Sequence, residues 1–310
     1  MEESVVRVEH LSHRYSVQWA IRDINFEIKE KGILGLLGSN GAGKSTTMNI
    51  ICGVLNQTEG EVYLNGINLR ENPVEAKRHI GFLPQKPPLY PDLTVDEYLT
   101  LCAHLHLVEK NKIKKAIDTA KEKCCITHFS KRLIRNLSGG YQQRVGIAQA
   151  IVHNPSFVVL DEPTNGLDPN QIVEIRNLIK EIATDRTVML STHILSEVQA
   201  SCDNIKMIEQ GRVVFSGSMD DFDNYVEPTA FLATLDNPPA IEELQALEGV
   251  KRVEPLDNSI YRIQFDAPRN ITERMVEQSI YNGWELREIH LEKESLDEIF
   301  AQLSGKRSHK

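Results

Sequence analysis

Apolar and polar residues alternate from Val5 to His10 and from Ile24 to Ile28, whereas Gly32 to Leu37 is apolar nearly throughout. The spacing predicts two half-buried strands followed by a fully buried one. Gly38 to Ser45 interrupts the pattern and Thr46 to Cys52 resumes it at helical period, giving strand, glycine loop, helix. Short strands are expected from Gly60 to Phe82, with Asn65-Gly66 as a hairpin turn, and Pro84 to Pro91 reads as a stiff surface loop. From about Thr94 to Ala150 the period is helical, as in Leu99, Ala103 and Leu107 and again in Ile113, Ile117 and Ala120. Phe157 to Leu160 and Thr187 to Leu190 are short apolar strands separated by a helix from Gln171 to Ala183. Strands alternating with helices predict a mainly parallel sheet covered on its faces.

After Gly217 the pattern changes. Strand is expected at Phe231 to Leu235, helix at Ala240 to Leu247, and a hairpin from Val250 to Glu254 and Ile260 to Phe265 around Asp257-Asn258. Helix from Ile271 to Tyr281 and strand from Trp284 to Leu291 complete a βαββαβ order, that of a small ferredoxin-like domain. A last helix is expected from Ser295, where Ser295 and Glu298 fit a capping box and Leu296, Ile299, Phe300 and Leu303 line one face. The polar, basic tail from Ser304 to Lys310 reads as frayed. The expected organisation is α/β, with a first domain over 1–222 that contains a helical insertion at about 92–150. A C-terminal α+β domain over 223–310 follows it.

Composition narrows the function classes. The 310 residues, 41% of them hydrophobic, can bury one large or two unequal cores. A formal charge of −9 argues against a surface built chiefly to neutralise phosphodiesters, so no nucleic-acid partner is expected. Cys52, Cys102, Cys124, Cys125 and Cys202 form no CxxC pair and no metal-ligand spacing, and they fit a reducing compartment. Met1 to Ser4 lacks the basic head and apolar stretch of a secretory signal, and no apolar run is long enough to cross a bilayer. If the chain serves a membrane, it is expected to dock on a partner that spans it.

The chemistry begins at Gly38-Ser39-Asn40-Gly41-Ala42-Gly43-Lys44-Ser45, which satisfies the phosphate-loop spacing between a strand and a helix. Its glycines let backbone N–H groups converge on phosphate oxygens, the helix N-terminus adds its positive end, and Lys44 adds a full charge. Ser45 is expected to ligate Mg²⁺. The strand from Phe157 ends in Asp161, at the carboxyl edge where a phosphate-bound metal would lie, and Glu162 follows at once. Alone, such a pair is a solvated turn. Beside a phosphate loop it suits a division of labour, Asp161 in the Mg²⁺ shell and Glu162 polarising an attacking water. Leu137-Ser138-Gly139-Gly140-Tyr141-Gln142-Gln143-Arg144 opens another helix and offers a second anion-binding N-terminus, although Ser-Gly-Gly by itself is an ordinary capping turn.

The ordered set of phosphate loop, Leu137-Ser138-Gly139-Gly140, Asp161-Glu162-Pro163-Thr164, Asn165-Gly166-Leu167-Asp168 and Ser191-Thr192-His193 resembles the nucleotide-binding domain of the ABC family over roughly residues 4–220. The resemblance implies a P-loop NTPase of ABC type, with an antiparallel β part and a helical part beside the core sheet. It also implies an ATPase that binds ATP and Mg²⁺ through Gly38 to Thr46. Two ATPase subunits, alike or different, would meet head to tail, with ATP between the phosphate loop of one and Ser138, Gly139 and Gly140 of the other. By the same resemblance Gln85 touches Mg²⁺ and the attacking water, His193 contacts the γ-phosphate, Asp168 lines the dimer interface and Tyr15 stacks on adenine. Each has a plainer alternative: Tyr15 as packing, Gln85 as a loop residue among prolines, His193 as a structural histidine. Tyr141 departs from the glutamine usual at the fifth signature position and puts a nucleotide contact from that side chain in doubt.

The region from about Asp223 to Phe300 more loosely resembles the C-terminal appendage of bacterial exporter ATPases of the drug, sodium and gliding-motility type. Permease subunits on separate chains, export, and a peripheral place on the inner face of the cell membrane follow as expectations. A non-transport ABC ATPase acting on DNA or in translation is the alternative. A chromosome ATPase would need a long coiled coil between Lys44 and Ser138, and translation-associated relatives usually carry two cassettes, whereas this chain has no sustained heptads and one motif set.

Overall fold

The fold is that of a computed structural model, which describes residues 4–225, 228–266 and 270–292. The chain divides into two compact units, Met1–Met219 and Asp220–Lys310. The first opens with β1 (Val6–Tyr15), β2 (Gln18–Ile28), β3 (Gly32–Leu37) and α1 (Lys44–Ile51). Then come β4 (Glu59–Leu64), β5 (Ile67–Asn68), α2 (Pro73–Arg78) and β6 (Ile80–Leu83). The helical insertion comprises α3 (Val95–Leu105), α4 (Ile113–Lys123) and, after two single 3₁₀ turns, α5 (Gly139–Ile151). The unit closes with β7 (Phe157–Asp161), α6 (Pro169–Ala183), β8 (Thr187–Thr192), α7 (Leu195–Ser201), β9 (Asn204–Glu209) and β10 (Arg212–Ser218).

Two sheets organise this unit. One is antiparallel, in the order β2-β1-β4-β5. The other runs β10-β9-β3-β8-β7-β6, with β9, β3, β8, β7 and β6 parallel and β10 antiparallel at the edge. Every residue of β7 and β8 is buried, as expected for central parallel strands covered on both faces. Val6, Val8, Leu11, Val62 and Leu64 of the antiparallel sheet pack with Met48 and Ile51 of α1 and with Phe157 and Val159. The phosphate-loop helix is thereby wedged between the two sheets.

In the helical insertion, α3 starts at a full capping box: Thr94 Oγ1 accepts from Glu97 N, and Glu97 Oε2 accepts from Thr94 N at 2.8 Å. The Asn65-Gly66 turn has φ of 46° and 77°, the left-handed pair that a tight hairpin needs. Several short elements differ from the sequence reading. α2 and α7 are six and seven residues long, too short for a helical period to register, and α2 starts at a proline that needs no N–H partner. β9 and β10 also fell outside the reading. Lys206 interrupts the apolar run of β9 and extends its ammonium over the Phe26 ring, 5.4 Å from the centroid.

In the second unit α8 (Met219–Asp223), which begins one residue ahead of it, is followed by β11 (Ala230–Leu235), α9 (Ile241–Gln245), β12 (Val250–Pro255), β13 (Ile260–Phe265), α10 (Ile271–Asn282) and β14 (Leu286–Glu292). The antiparallel order β12-β13-β11-β14 is the ferredoxin-like one. Phe231, Leu235, Ile263 and Phe265 of the sheet meet Leu244 of α9 and Met275 of α10. Trp284 is expected in the last strand; it instead fills this core from the turn before β14, where Gly283 adopts φ 72° to end α10. The capped helix expected from Ser295 lies outside the described residues. Among the described residues no helix is long and apolar enough to cross a membrane.

Candidate functional site

The loop between β3 and α1 is fixed from two sides. A Cβ on Gly43, at φ 112°, would stand 2.6 Å from Ile21 Cγ2 and 2.9 Å from Ala20 O, so only glycine lets β2 approach this closely. A Cβ on Gly38 would stand 2.1 Å from Ile208 O in β9. Glu209, the last residue of β9, accepts from Ser39 N at 3.3 Å and from Ser39 Oγ at 2.7 Å. Lys44 is buried and folds back along the loop, donating to Gly38 O at 2.7 Å and Ser39 O at 3.1 Å. Burial lowers the pKa of its ammonium, opposed by the charges of Glu162, Asp161 and Glu209. In the first turn of α1, Ser45 is exposed and Thr46 is half-buried.

β7 delivers the acid pair beside β8, with Asp161 opposite Ser191. The Ser191 hydroxyl donates to Asp161 Oδ1 in a short contact; Oδ2 has no hydrogen-bond partner among the described residues. Glu162 N donates to Ser191 O at 3.2 Å and lies 3.1 Å from Ser191 Oγ. The chain turns at Glu162 with φ 48°, a left-handed conformation that costs a non-glycine residue on the order of 1–3 kcal/mol and persists where surrounding contacts fix it. The Glu162 carboxylate then meets three side chains. Oε2 accepts from Gln85 Nε2 at 2.8 Å and Asn165 Nδ2 at 3.3 Å, and His193 Nδ1 lies 3.1 Å from Oε1. Glu162 is 12% exposed and His193 42%, so the carboxylate is shielded and the imidazole stands at the rim. Gln85 is held by packing of the loop after β6 on α5, where a Cβ on Gly146 would lie 2.8 Å from Leu83 Cδ1 and 3.2 Å from Pro87 Cβ.

The donors available to a metal are a free carboxylate oxygen of Asp161, the Ser45 hydroxyl and the Gln85 carboxamide. All are hard oxygen ligands with no thiolate among them, a set that fits Mg²⁺ bound through one carboxylate and substrate phosphates. Three or more His, Cys, Asp or Glu side chains do not converge on a cation site among the described residues.

Other residues singled out in the sequence stand apart from this cluster. Ser138 occupies the N-cap position of α5 without a side-chain capping bond, and Gly139 and Gly140 lie in the first turn. Ser138 and Gly140 line a depression of about 190 Å³ with Tyr141, Arg144, Gln171, Glu174 and Ile175, and no phosphate-loop residue contributes to it. The Tyr141 ring packs edge-on against Phe129, with centroids 4.5 Å apart. Tyr15 ends β1, is 53% exposed and meets His13 edge-on at 4.7 Å. Asp168 caps α6, accepting from Asn170 N and Gln171 N at 3.0 Å each. Glu209 lies outside the sequence motifs, and Ser191 and Asn165 lie within them with no individual role that residue type or spacing assigns. Glu209 contacts a loop 170 positions away, and its one sequence signal is an acid closing a short, unread strand.

A glycine loop at the end of one parallel strand and an acid pair at the end of another define a P-loop nucleoside triphosphatase. Within that class, the family described as ABC transporter matches residues 21–165. The Bacillus licheniformis protein named bacitracin transport ATP-binding protein BcrA is 31% identical over 304 residues, covering 97% of this chain and 98% of that protein. A Clostridium perfringens CbiO1 structure, described as part of the ABC transporter complex CbiONQ, is 28% identical, with a TM-score of 0.66 over 80% of this chain and 96% of that one. A dimeric ATP-binding cassette in a post-hydrolysis state, bound to ADP and phosphate, is 28% identical, with a TM-score of 0.63 over 69% of this chain and 98% of that one. The chain belongs to the ATP-binding proteins of the ABC transporter family, and membership carries nucleotide binding and ATP hydrolysis.

Proposed function

We propose that this chain is the ATPase subunit of an exporter and hydrolyses ATP in a head-to-tail dimer. The observation that carries the reading is the Glu162 carboxylate, shielded and aimed by Gln85 and His193 beside a phosphate loop closed by Lys44. Lys44 and the N–H groups of Gly38 to Thr46 would hold the triphosphate, and Tyr15, at the tip of the β1–β2 hairpin, would stack on adenine. Glu162 would draw a proton from the attacking water while the His193 imidazole, at the rim, stabilises the γ-phosphate. Asp161, Ser45 and Gln85 would hold Mg²⁺, whose chemistry when bound is to neutralise charge developing on phosphate oxygens.

Ser138, Gly139 and Gly140 face no phosphate loop within the chain, which supports their service to the ATP of a second ATPase subunit, with Asp168 at the same interface. The dimeric cassette bound to ADP and phosphate supports a pairing of two such subunits. Transport through separate membrane-spanning permease subunits accounts for a chain that matches, end to end, a protein named for bacitracin transport. The resemblance of the C-terminal unit to exporter appendages favours export, with residues 1–222 as the motor, 223–310 as an accessory domain, and the whole peripheral on the inner membrane face. Glu162→Gln should bind ATP but hydrolyse it at least ~10²-fold more slowly. Near-normal turnover of that variant in a phosphate-release assay would remove Glu162 from its role.

A further inference from the structure

Glu197, in the first turn of α7, is a buried carboxylate that forms no ion pair among the described residues. Taking a carboxylate out of water is expensive unless its oxygens are hydrogen-bonded. Here both are: Oε1 accepts from Thr164 Oγ1 at 2.7 Å, and Oε2 accepts from Thr192 Oγ1 at 2.9 Å. Thr192 Oγ1 also accepts from Ile194 N at 3.0 Å, so its proton is committed to Glu197. The two threonines have specific places in the chain. Thr164 lies two residues after Glu162, and Thr192 immediately precedes His193.

We propose that Glu197 is a positioning residue that ties the turn carrying Glu162 to the loop carrying His193 and so sets the distance between the two. The proposal rests on the catalytic reading of Glu162 and His193 given above. On the side towards β8, the left-handed turn at Glu162 is held by Ser191; on the side of Thr164 its anchor is Glu197. Without that anchor, relaxation of the turn would move the carboxylate away from Gln85 and His193. Glu197 has no hydrogen bond to the phosphate loop among the described residues, so its loss should act on water activation rather than on nucleotide capture.

Steady-state ATP hydrolysis by the purified full chain tests this. In Glu197→Ala, kcat should fall roughly 10- to 100-fold, the loss expected for a misplacement of about 1 Å, while KM stays within about twofold. Glu197→Gln keeps one acceptor and should recover part of the loss. Thr164→Val and Thr192→Val, near-isosteric changes that remove one hydroxyl each, should lower kcat with KM unchanged, and they carry the test if Glu197→Ala does not fold. Because Glu197 acts through the catalytic pair, Glu162→Gln combined with Glu197→Gln should be no slower than Glu162→Gln alone. The proposal is overturned by a kcat near the parent value in the folded Glu197 or threonine variants, by a loss confined to KM, or by full additivity in the double variant. Normal kcat in those variants with Glu162→Gln inactive would sink the tie and leave the catalytic reading standing; normal turnover in Glu162→Gln itself would sink both.

Discussion

At the scale of single residues, the site depends on two side chains held where an isolated residue would not settle. Lys44 is desolvated and bonded to the carbonyls of its own loop, an arrangement that keeps its charge over the space where phosphates would sit. Lys44→Ala removes a charge-assisted contact of roughly 1.5–3 kcal/mol, and ATP affinity measured by titration calorimetry should weaken about 10- to 150-fold. An unchanged affinity would place the triphosphate elsewhere. The identities of Lys44, Asp161 and Glu162 were legible in the sequence because motif spacing and an adjoining strand suffice to place them. Their supports were not, because those lie far away in the chain: Glu209 reaches Ser39 across 170 positions, Gln85 reaches Glu162 across 77, and Thr164 reaches Glu197 across 33. The left-handed turn at Glu162 also has no sequence mark, since glycine is the residue that would ordinarily announce it.

At the scale of elements, α5 connects the Ser138 turn to the loop that carries Gln85. It begins at Ser138, packs on the Gln85 loop at Gly146 and ends against β6, where a Cβ on Gly81 would lie 1.9 Å from Ala150 O. Two residues after α5, His153 stacks on His106, the C-cap of α3, with ring centroids 3.7 Å apart, and its Nε2 bonds Ile80 O at 2.8 Å. Burial, reinforced by His106, pushes the His153 pKa down to about 3, and burial lowers that of His106 as well. An unfolded histidine takes up its proton near pH 6.5, so between about pH 6.5 and 3 the unfolded chain binds more protons than the folded one. Stability is therefore full above that window and falls as pH falls through it. His153 should contribute a loss of about 2 kcal/mol at most between pH 7 and pH 5. Urea unfolding of the first unit should show this loss in the parent chain and a smaller one in His153→Gln, which keeps a donor for Ile80 O; equal losses would count against it. Long elements such as α3 and α6 could be read from their period, and β7 from its apolar run. α2, α7 and β9 could not, because six or seven residues carry too little period and β9 mixes Lys206 into a buried strand.

At the scale of the whole molecule, α1 and α5 each start at a glycine-bearing N-terminus, at Lys44 and Gly139, and among the described residues nothing brings the two together. The ferredoxin-like strand order of the C-terminal unit followed from the sequence pattern; the use made of that unit did not, since pattern fixes packing and leaves partners open. A pair of copies related head to tail would satisfy both helix ends with two nucleotides. The most direct test is the light-scattering mass of Glu162→Gln with ATP and Mg²⁺, with bound nucleotide counted in the same fractions. The account predicts a species of two chains and two ATP, lost when Ser138 is replaced by arginine although each monomer still binds ATP. A single chain that retains its nucleotide at saturating ATP and high protein concentration would contradict it.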